Sequence, residues 1–180
     1  RGPLTRHELR LRGWECPEIY GDPALLIPST HKLKENKKYE WGIIPHYIEY
    51  GDDFGINTLR NLEKQGFKII DICKDTIGFL DELSECKKIL SSSLHGLIIS
   101  DAYGIPNARV TISNKLVGGH FKFIDYCMSI NRPIDWGLQL TPNTTKTSLD
   151  SINLNDKIEF DKIKLLDAAP WYLPEFKDII

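Results

Sequence analysis

The amino-acid sequence predicts an α/β fold, one half of a doubly wound arrangement in which helices cover both faces of a parallel sheet. Three observations predict it. Strand-like and helix-like segments alternate from Tyr39 to Ile130, and connections of that length require right-handed crossovers between parallel strands. Glycines at 66 and 104 close two of the helical stretches where a helix stop is needed. A chain of 180 residues that is 41% hydrophobic and 27% charged is sized and composed as one medium domain with a packed core.

The elements follow in chain order. Gly2 and Pro3 suit the N-cap and first turn of a helix, Leu4, Leu9 and Leu11 supply its apolar contacts, and Gly13 stops it. "CPEIYGDPALLIP" (16–28) reads as a short extended piece broken at Gly21-Asp22-Pro23, and "STHKLKENKK" (29–38) as a solvated linker. "YEWGIIPHY" (39–47) is a strand candidate, and "INTLRNLEKQG" (56–66) a helix for which Asp52 and Asp53 are the cap. "FKIIDI" (67–72) is the clearest strand, "IGFLDELSECK" (77–87) is helical, and "KILS" (88–91) is a short strand. "SLHGLIISDAYG" (93–104) is a helix, "ARVTI" (108–112) a strand and "GHFKFIDYCMSI" (119–130) the next helix. Beyond Asn131 the rhythm is lost. Residues 141–157, rich in Thr, Asn and Ser, read as a long surface loop. A short helix then follows, with Phe160, Ile163 and Leu166 on one face and a stop near Pro170. Its aromatic end, Trp171, Tyr172 and Phe176, is expected to pack back on the domain.

The bulk numbers exclude some classes of function. A formal net charge of −2 gives no general nucleic-acid or membrane surface, although a local cationic pocket is compatible with it. No stretch is apolar for long enough to span a bilayer, which argues against an integral membrane protein. Cys16, Cys73, Cys86 and Cys127 form no CxxC pair, so free thiols in a reducing, cytoplasmic setting are expected. The chain opens without Met, its one methionine being Met128. A piece of a longer protein is therefore expected.

In an open parallel sheet, ligands bind beyond the C-terminal ends of the strands. Those ends carry Pro45-His46-Tyr47, then Asp71, Lys74 and Asp75, then Ser91-Ser92-Ser93 with His95, then Ser113-Asn114-Lys115. A serine cluster opening a helix offers cap oxygens and free N–H groups at the positive end of the helix dipole, an arrangement that holds phosphate or carboxylate. His95 faces the same crevice and can move a proton near neutral pH. Gly96 permits close approach of a ligand or a neighbouring strand. Taken singly, each signal also has a plain structural reading: a helix cap, a core histidine, a turn. Their shared rim is what makes them a candidate site.

Three segments also carry a resemblance. "SLHGLIISDAYGIP" (93–106) is similar to the signature segment of the polysaccharide pyruvyl transferases. "RGPLTRHELRLRG" (1–13) and "CPEIYGDPALLIP" resemble that family's Arg-Gly-Pro helix and its Tyr-Gly-Asp-Pro-Ala-Leu-Leu segment. Order and spacing agree over roughly Arg1 to Ile130, and "KLLDAAP" (164–170) also looks familial. The resemblance implies two Rossmann-like domains arranged as in the GT-B glycosyltransferases, with the active site between them and this chain forming the C-terminal half. Residues 1–38 would then be a helix and connecting segment of the inter-domain region, 39–131 the Rossmann-like donor-binding domain, and 132–180 a loop and helix packing back on it. A further, N-terminal domain would be the missing partner.

The implied reaction moves the enolpyruvyl carbons of phosphoenolpyruvate onto two hydroxyls of a sugar or lipid-linked oligosaccharide, as a step of bacterial surface polysaccharide synthesis. Such an enzyme would work in the cytoplasm, peripheral to the inner face of the membrane where the acceptor is lipid-linked. The match gives His95 the role of general acid and Arg1 that of donor-anion ligand. Ser91, Ser92, Ser93, Leu94, Gly96, His46, Lys74 and Lys115 are the expected substrate-binding residues. Phosphoenolpyruvate is a substrate here, and neither a cofactor nor a metal is expected. One position departs from the family: relatives carry arginine directly before Leu-His-Gly, where this chain has Ser93. Serine can hydrogen-bond an anion but cannot neutralise it or grip it with a fork, so Arg109, Lys74 or Lys115 is expected to supply the charge. Two other readings stay open, a nucleotide-sugar glycosyltransferase of the same architecture and a non-catalytic anion- or sugar-binding module.

Overall fold

The computed structural model describes residues 1–115 and 118–169. Five strands, β1 (Tyr39–Ile44), β2 (Lys68–Ile69), β3 (Cys86–Ser91), β4 (Asn107–Thr111) and β5 (Leu138–Gln139), form one open sheet in the order β2-β1-β3-β4-β5. Every pairing is parallel. The chain steps outward from β1 to β2, returns to β3 and continues the other way, so the order reverses between β1 and β3. That reversal is the switch point where doubly wound sheets open a crevice beyond their C-terminal ends. The fold is α/β and Rossmann-like, as the alternation of segments predicts.

The described residues form six α-helices: α1 (Pro3–Leu11), α2 (Asp53–Lys64), α3 (Thr76–Ser84), α4 (Leu94–Ala102), α5 (Phe121–Ser129) and α6 (Lys162–Asp167). Acidic caps start three of them. Asp52 accepts the Gly55 N–H, Asp75 the Gly78 N–H and Asp161 the Lys164 N–H, each placing a negative side chain at the positive helix end. On one face of the sheet, Leu59 and Leu62 of α2 pack with Ile43, Leu90 and Val110. On the other, Phe79, Leu80 and Leu83 of α3 pack with Ile44, Ile70 and Ile89. Leu94, Leu97 and Ile98 of α4 meet Phe123 and Tyr126 of α5 in a third cluster. Each of these fully buried apolar side chains stabilises the fold by about 1.5–3 kcal/mol relative to exposure.

Residues 141–157 are a largely exposed, irregular segment, as expected, but part of it packs on the sheet. Among the described residues α2 is the helix that packs on its face of the sheet, and part of that face beside it needs another cover. Leu140, Leu149, Ile152 and Leu154 close it, with a 3₁₀ turn at Thr147–Leu149. These apolar residues are spaced irregularly among polar ones and carry no helical or strand period. The run 67–72 contributes only two residues of ladder because β2 is an edge strand, although Phe67 and Ile70 are both buried. The expected extended piece at Pro23 is a 3₁₀ helix, Pro23–Ser29, capped by Asp22. In α6, Leu165 and Leu166 turn inward and Ile163 is exposed, because Leu165 packs against Gly21. Trp171, Tyr172 and Phe176 lie outside the described residues.

A buried polar network ties α4, β4 and α5 to the segment that follows them. Arg132 Nη1 donates to both carboxylate oxygens of Asp101, at 2.7 and 2.6 Å, and to Asn107 Oδ1 at 2.8 Å. Tyr126 and Asn107 also donate to Asp101, at 2.9 and 2.7 Å. Burial and the Asp101 charge push the Tyr126 phenol far above its ordinary pKa. None of the four cysteines is paired, and Cys86, buried among apolar side chains, has its thiol pushed up to about 12. Among the described residues no helix is long and apolar enough to cross a membrane.

Candidate active site

Helix α1 reaches the site by its N-terminus. It buries none of its residues, and Leu9 and Leu11 are exposed, so the expected apolar docking is not what holds it. Its anchor is the buried carboxylate of Asp125 on α5. Asp125 accepts the N–H groups of Gly2, Leu4 and Thr5 at 3.0, 2.8 and 3.1 Å, and the Thr5 hydroxyl at 2.6 Å. A side chain on another helix therefore satisfies the orphan donors of the first turn. Gly2 is required for this approach, since a Cβ there would lie 2.0 Å from the Asp125 carbonyl oxygen and 2.6 Å from its Oδ1. Gly2→Ala is expected to cost about 1–3 kcal/mol by overpacking and to strip hydrogen-exchange protection from the amides of residues 4–5. Unchanged protection of those amides would sink this account.

The docked turn places Arg1. Its carbonyl accepts the Gly21 N–H at 2.9 Å, and its Nε donates to Asp22 Oδ2. Asp22 is buried and uses its other oxygen to cap the 3₁₀ helix through the Ala24 N–H at 3.0 Å. The two N-terminal motifs thus lock together, one supplying the guanidinium and the other its carboxylate. The remaining edge of Arg1 points to α4. Arg1 Nη2 lies 3.3 Å from His95 Nε2 across 94 residues of sequence. A guanidinium only donates, so His95 Nε2 is the acceptor in this contact. His95 is exposed at the start of α4 and lines a pocket of about 200 Å³ with Ile72, Lys74, Thr76, Phe79 and Ile99. A larger cavity of about 390 Å³ beside Arg132, Pro133 and Trp136 shares no lining residue with it. The smaller one holds the exposed histidine and lies beyond the strand ends, and it is the candidate active site.

Two hydroxyls of the serine turn have structural partners inside the fold. Ser91, Ser92 and Ser93 are all buried. The Ser91 hydroxyl lies 2.8 Å from the carbonyls of Ile44 and Ser93 and accepts the Ser93 N–H at 3.0 Å. Ser92 Oγ accepts the His46 N–H at 2.9 Å. Ser93 makes no side-chain cap to α4. These hydroxyls join the ends of β1 and β3 at the switch point and set the direction in which α4 leaves. Gly96 allows α4 to close on them, since a Cβ there would meet Ser91 Oγ at 2.3 Å and Ile44 Cγ2 at 2.9 Å. Leu94 is buried in the cluster with Leu25 and Phe123.

The other expected residues divide. His46 ends β1 at the same rim, half-buried, its Nδ1 accepting the Ile48 N–H at 3.4 Å. Burial, and after it the charge of Lys122, lowers its pKa. Lys74 lines the His95 pocket but pairs with Glu82 at 2.9 Å. Lys115 pairs with Asp52 at 2.7 Å and belongs to another surface, lined by Phe54, Ser113 and Gln139. Arg109 is buried, donating from Nη1 to His120 Nδ1 at 2.9 Å and to the Asp135 carbonyl at 3.2 Å. Sequence reasoning missed Asp22, Asp125 and Lys122. A lone acid inside the apolar helix "FKFIDYCMS" was a legible signal for Asp125, and Asp22 lies within a recognised motif. Nothing local marks Lys122. Among the described residues no group of His, Cys, Asp and Glu is arranged to hold a metal ion.

Comparison with known proteins adds the family. No solved structure gives a significant match. An uncharacterized protein of Acanthamoeba polyphaga mimivirus is 38% identical over 111 residues, which is 59% of this chain and 38% of that protein. The chain thus spans well under half the length of that relative. The model of the polysaccharide pyruvyl transferase family matches residues 1–114, a span that includes Arg1, Asp22, His46 and the serine turn with His95. By that match over more than half of its length, the chain belongs to the polysaccharide pyruvyl transferase family.

Proposed function

We propose that this chain forms the donor side of an enzyme that transfers pyruvate from phosphoenolpyruvate to a sugar or lipid-linked oligosaccharide as a cyclic ketal. The observation that carries the reading is the pair of Arg1 and His95, 3.3 Å apart at the switch-point rim and fixed by Asp22. A fixed guanidinium beside an exposed imidazole offers an anion ligand and a proton donor within one small space. When a donor anion occupies the guanidinium, His95 Nε2 is released and can carry a proton.

The proton goes from His95 to the methylene carbon of the enol, leaving the adjacent carbon oxocarbenium-like. A sugar hydroxyl attacks that carbon and loses its proton. Phosphate then departs with the electron pair of its C–O bond, and the second hydroxyl closes the ketal and loses its own proton. No step requires a metal or cofactor. The missing half of the site and the acceptor pocket would belong to a further domain, with the enzyme at the cytoplasmic side of a membrane.

An isotope-labelled NMR titration of the chain tests the reading. Phosphoenolpyruvate is expected to shift the signals of residues 91–96 selectively. A shift produced instead by a UDP-sugar would replace the reading with a glycosyltransferase of the same fold. Binding without acceptor-dependent phosphate release by the intact enzyme would leave a non-catalytic binding module.

A further inference from the structure

We infer that Lys122 is the second cation of the donor site, joining Arg1 in holding a phosphate monoester at the β1–β3 switch point and supplying the charge that Ser93 lacks. The inference rests on the pyruvyl-transfer reading for the identity of the donor.

Elimination leads to it first. Lys74 and Lys115, two of the cations expected to compensate for Ser93, are paired with Glu82 and Asp52, and Arg109 is buried against His120 and the Asp135 carbonyl. The Ser91 and Ser92 hydroxyls are taken up inside the turn. Lys122 is less buried than Arg109 and, unlike those two lysines, unpaired. It is half-buried, and among the described residues no carboxylate lies within ion-pair distance of it.

Its position on α5 points it at the site. Lys122 precedes Asp125 by three residues, and residues three apart share a helix face. Asp125 is the carboxylate that grips Gly2 and the first turn of α1, so this face of α5 is turned toward Arg1. The Lys122 ammonium lies 5.4 Å from the centre of the Phe123 ring, and the Arg109 guanidinium lies 3.9 Å from the same ring. Burial, and then the charges of Arg1 and Arg109, lower the Lys122 pKa, while the charge of Lys122 lowers that of His46. The shared Phe123 ring and the Asp125 face of α5 thus bring Lys122 toward Arg1 and Arg109, and the nearby Asp22 carboxylate is already occupied by Arg1. An anion is the partner that relieves such a cluster, and a phosphate monoester, with a charge of about −1.5 to −2 at neutral pH, matches it.

The test is titration of the full chain with inorganic phosphate, followed by NMR. Lys122→Gln is expected to weaken phosphate binding about tenfold, the loss of one charge-assisted contact, and to move the His46 titration midpoint upward. Lys122→Arg should bind as the parent does. Lys87→Gln, which removes a lysine paired to Glu40 near the opposite end of the sheet, should also leave binding unchanged. Equal phosphate affinity in the parent and Lys122→Gln overturns the inference, as does an equal loss in Lys87→Gln. A parallel titration with phosphoenolpyruvate separates the two ideas. If phosphate binding depends on Lys122 but phosphoenolpyruvate does not bind, the cation site stands and the donor reading falls.

Discussion

Replacing His95 by alanine is expected to slow ketal formation by about 10²–10⁴-fold in the intact enzyme, the range for loss of a positioned general acid. The fold should be indifferent to the change. His95 is exposed, its polar contact is the 3.3 Å approach of Arg1, and alanine is at least as good a helix former in the first turn of α4. Phosphoenolpyruvate should still bind through its anionic groups, so kcat would fall much more than KM would rise. Acceptor-dependent phosphate release, measured beside a thermal melt, separates chemistry from stability. A rate within tenfold of the parent would remove His95 from the proton-transfer step and with it the proposed mechanism.

The largest effect on stability is expected at Asp101, buried near the end of α4. Asp101→Ala leaves the Arg132 guanidinium buried without its carboxylate and takes an acceptor from Tyr126 and Asn107. Breaking a buried pair by removing one partner costs about 3–5 kcal/mol, because the remaining charge is neither paired nor hydrated. That is a large part of the roughly 5–15 kcal/mol by which a domain is stable. Urea unfolding should show a lower midpoint with an unchanged slope. A loss below about 1 kcal/mol would mean that the network orders its neighbours without holding them.

The same network shows what a local pattern can miss. "SLHGLIISDAYG" reads as an apolar helix, and Asp101 near its end looks like an ordinary last-turn polar residue. Its role depends on Arg132, Asn107 and Tyr126, which come from three other segments. Residues 141–157 read as a loop and are one, but three scattered apolar side chains, Leu149, Ile152 and Leu154, also cover part of the sheet beside α2. The serine turn shows the same limit. The Ser91 and Ser92 hydroxyls splice the ends of β1 and β3, a role that three serines before a helix do not announce.

What the sequence by itself determined was the order of elements and the list of candidate residues at the rim. Alternating periods imply a parallel sheet, strand ends list the rim, and the spacing of three motifs identifies the family. These are relations within a few residues or in linear order, which a chain displays before it folds. What only the tertiary structure decided was which charges meet. Arg1 and His95 are separated by 94 positions, and their approach requires Asp125 to dock α1, Asp22 to turn the guanidinium and Gly96 to let α4 close on β1. Of the available cations, Lys74 and Lys115 found acidic neighbours and Lys122 did not. A charge acts over ångströms of space, and the spatial neighbours of a residue are set by sheet order and helix docking, which no local window of sequence contains.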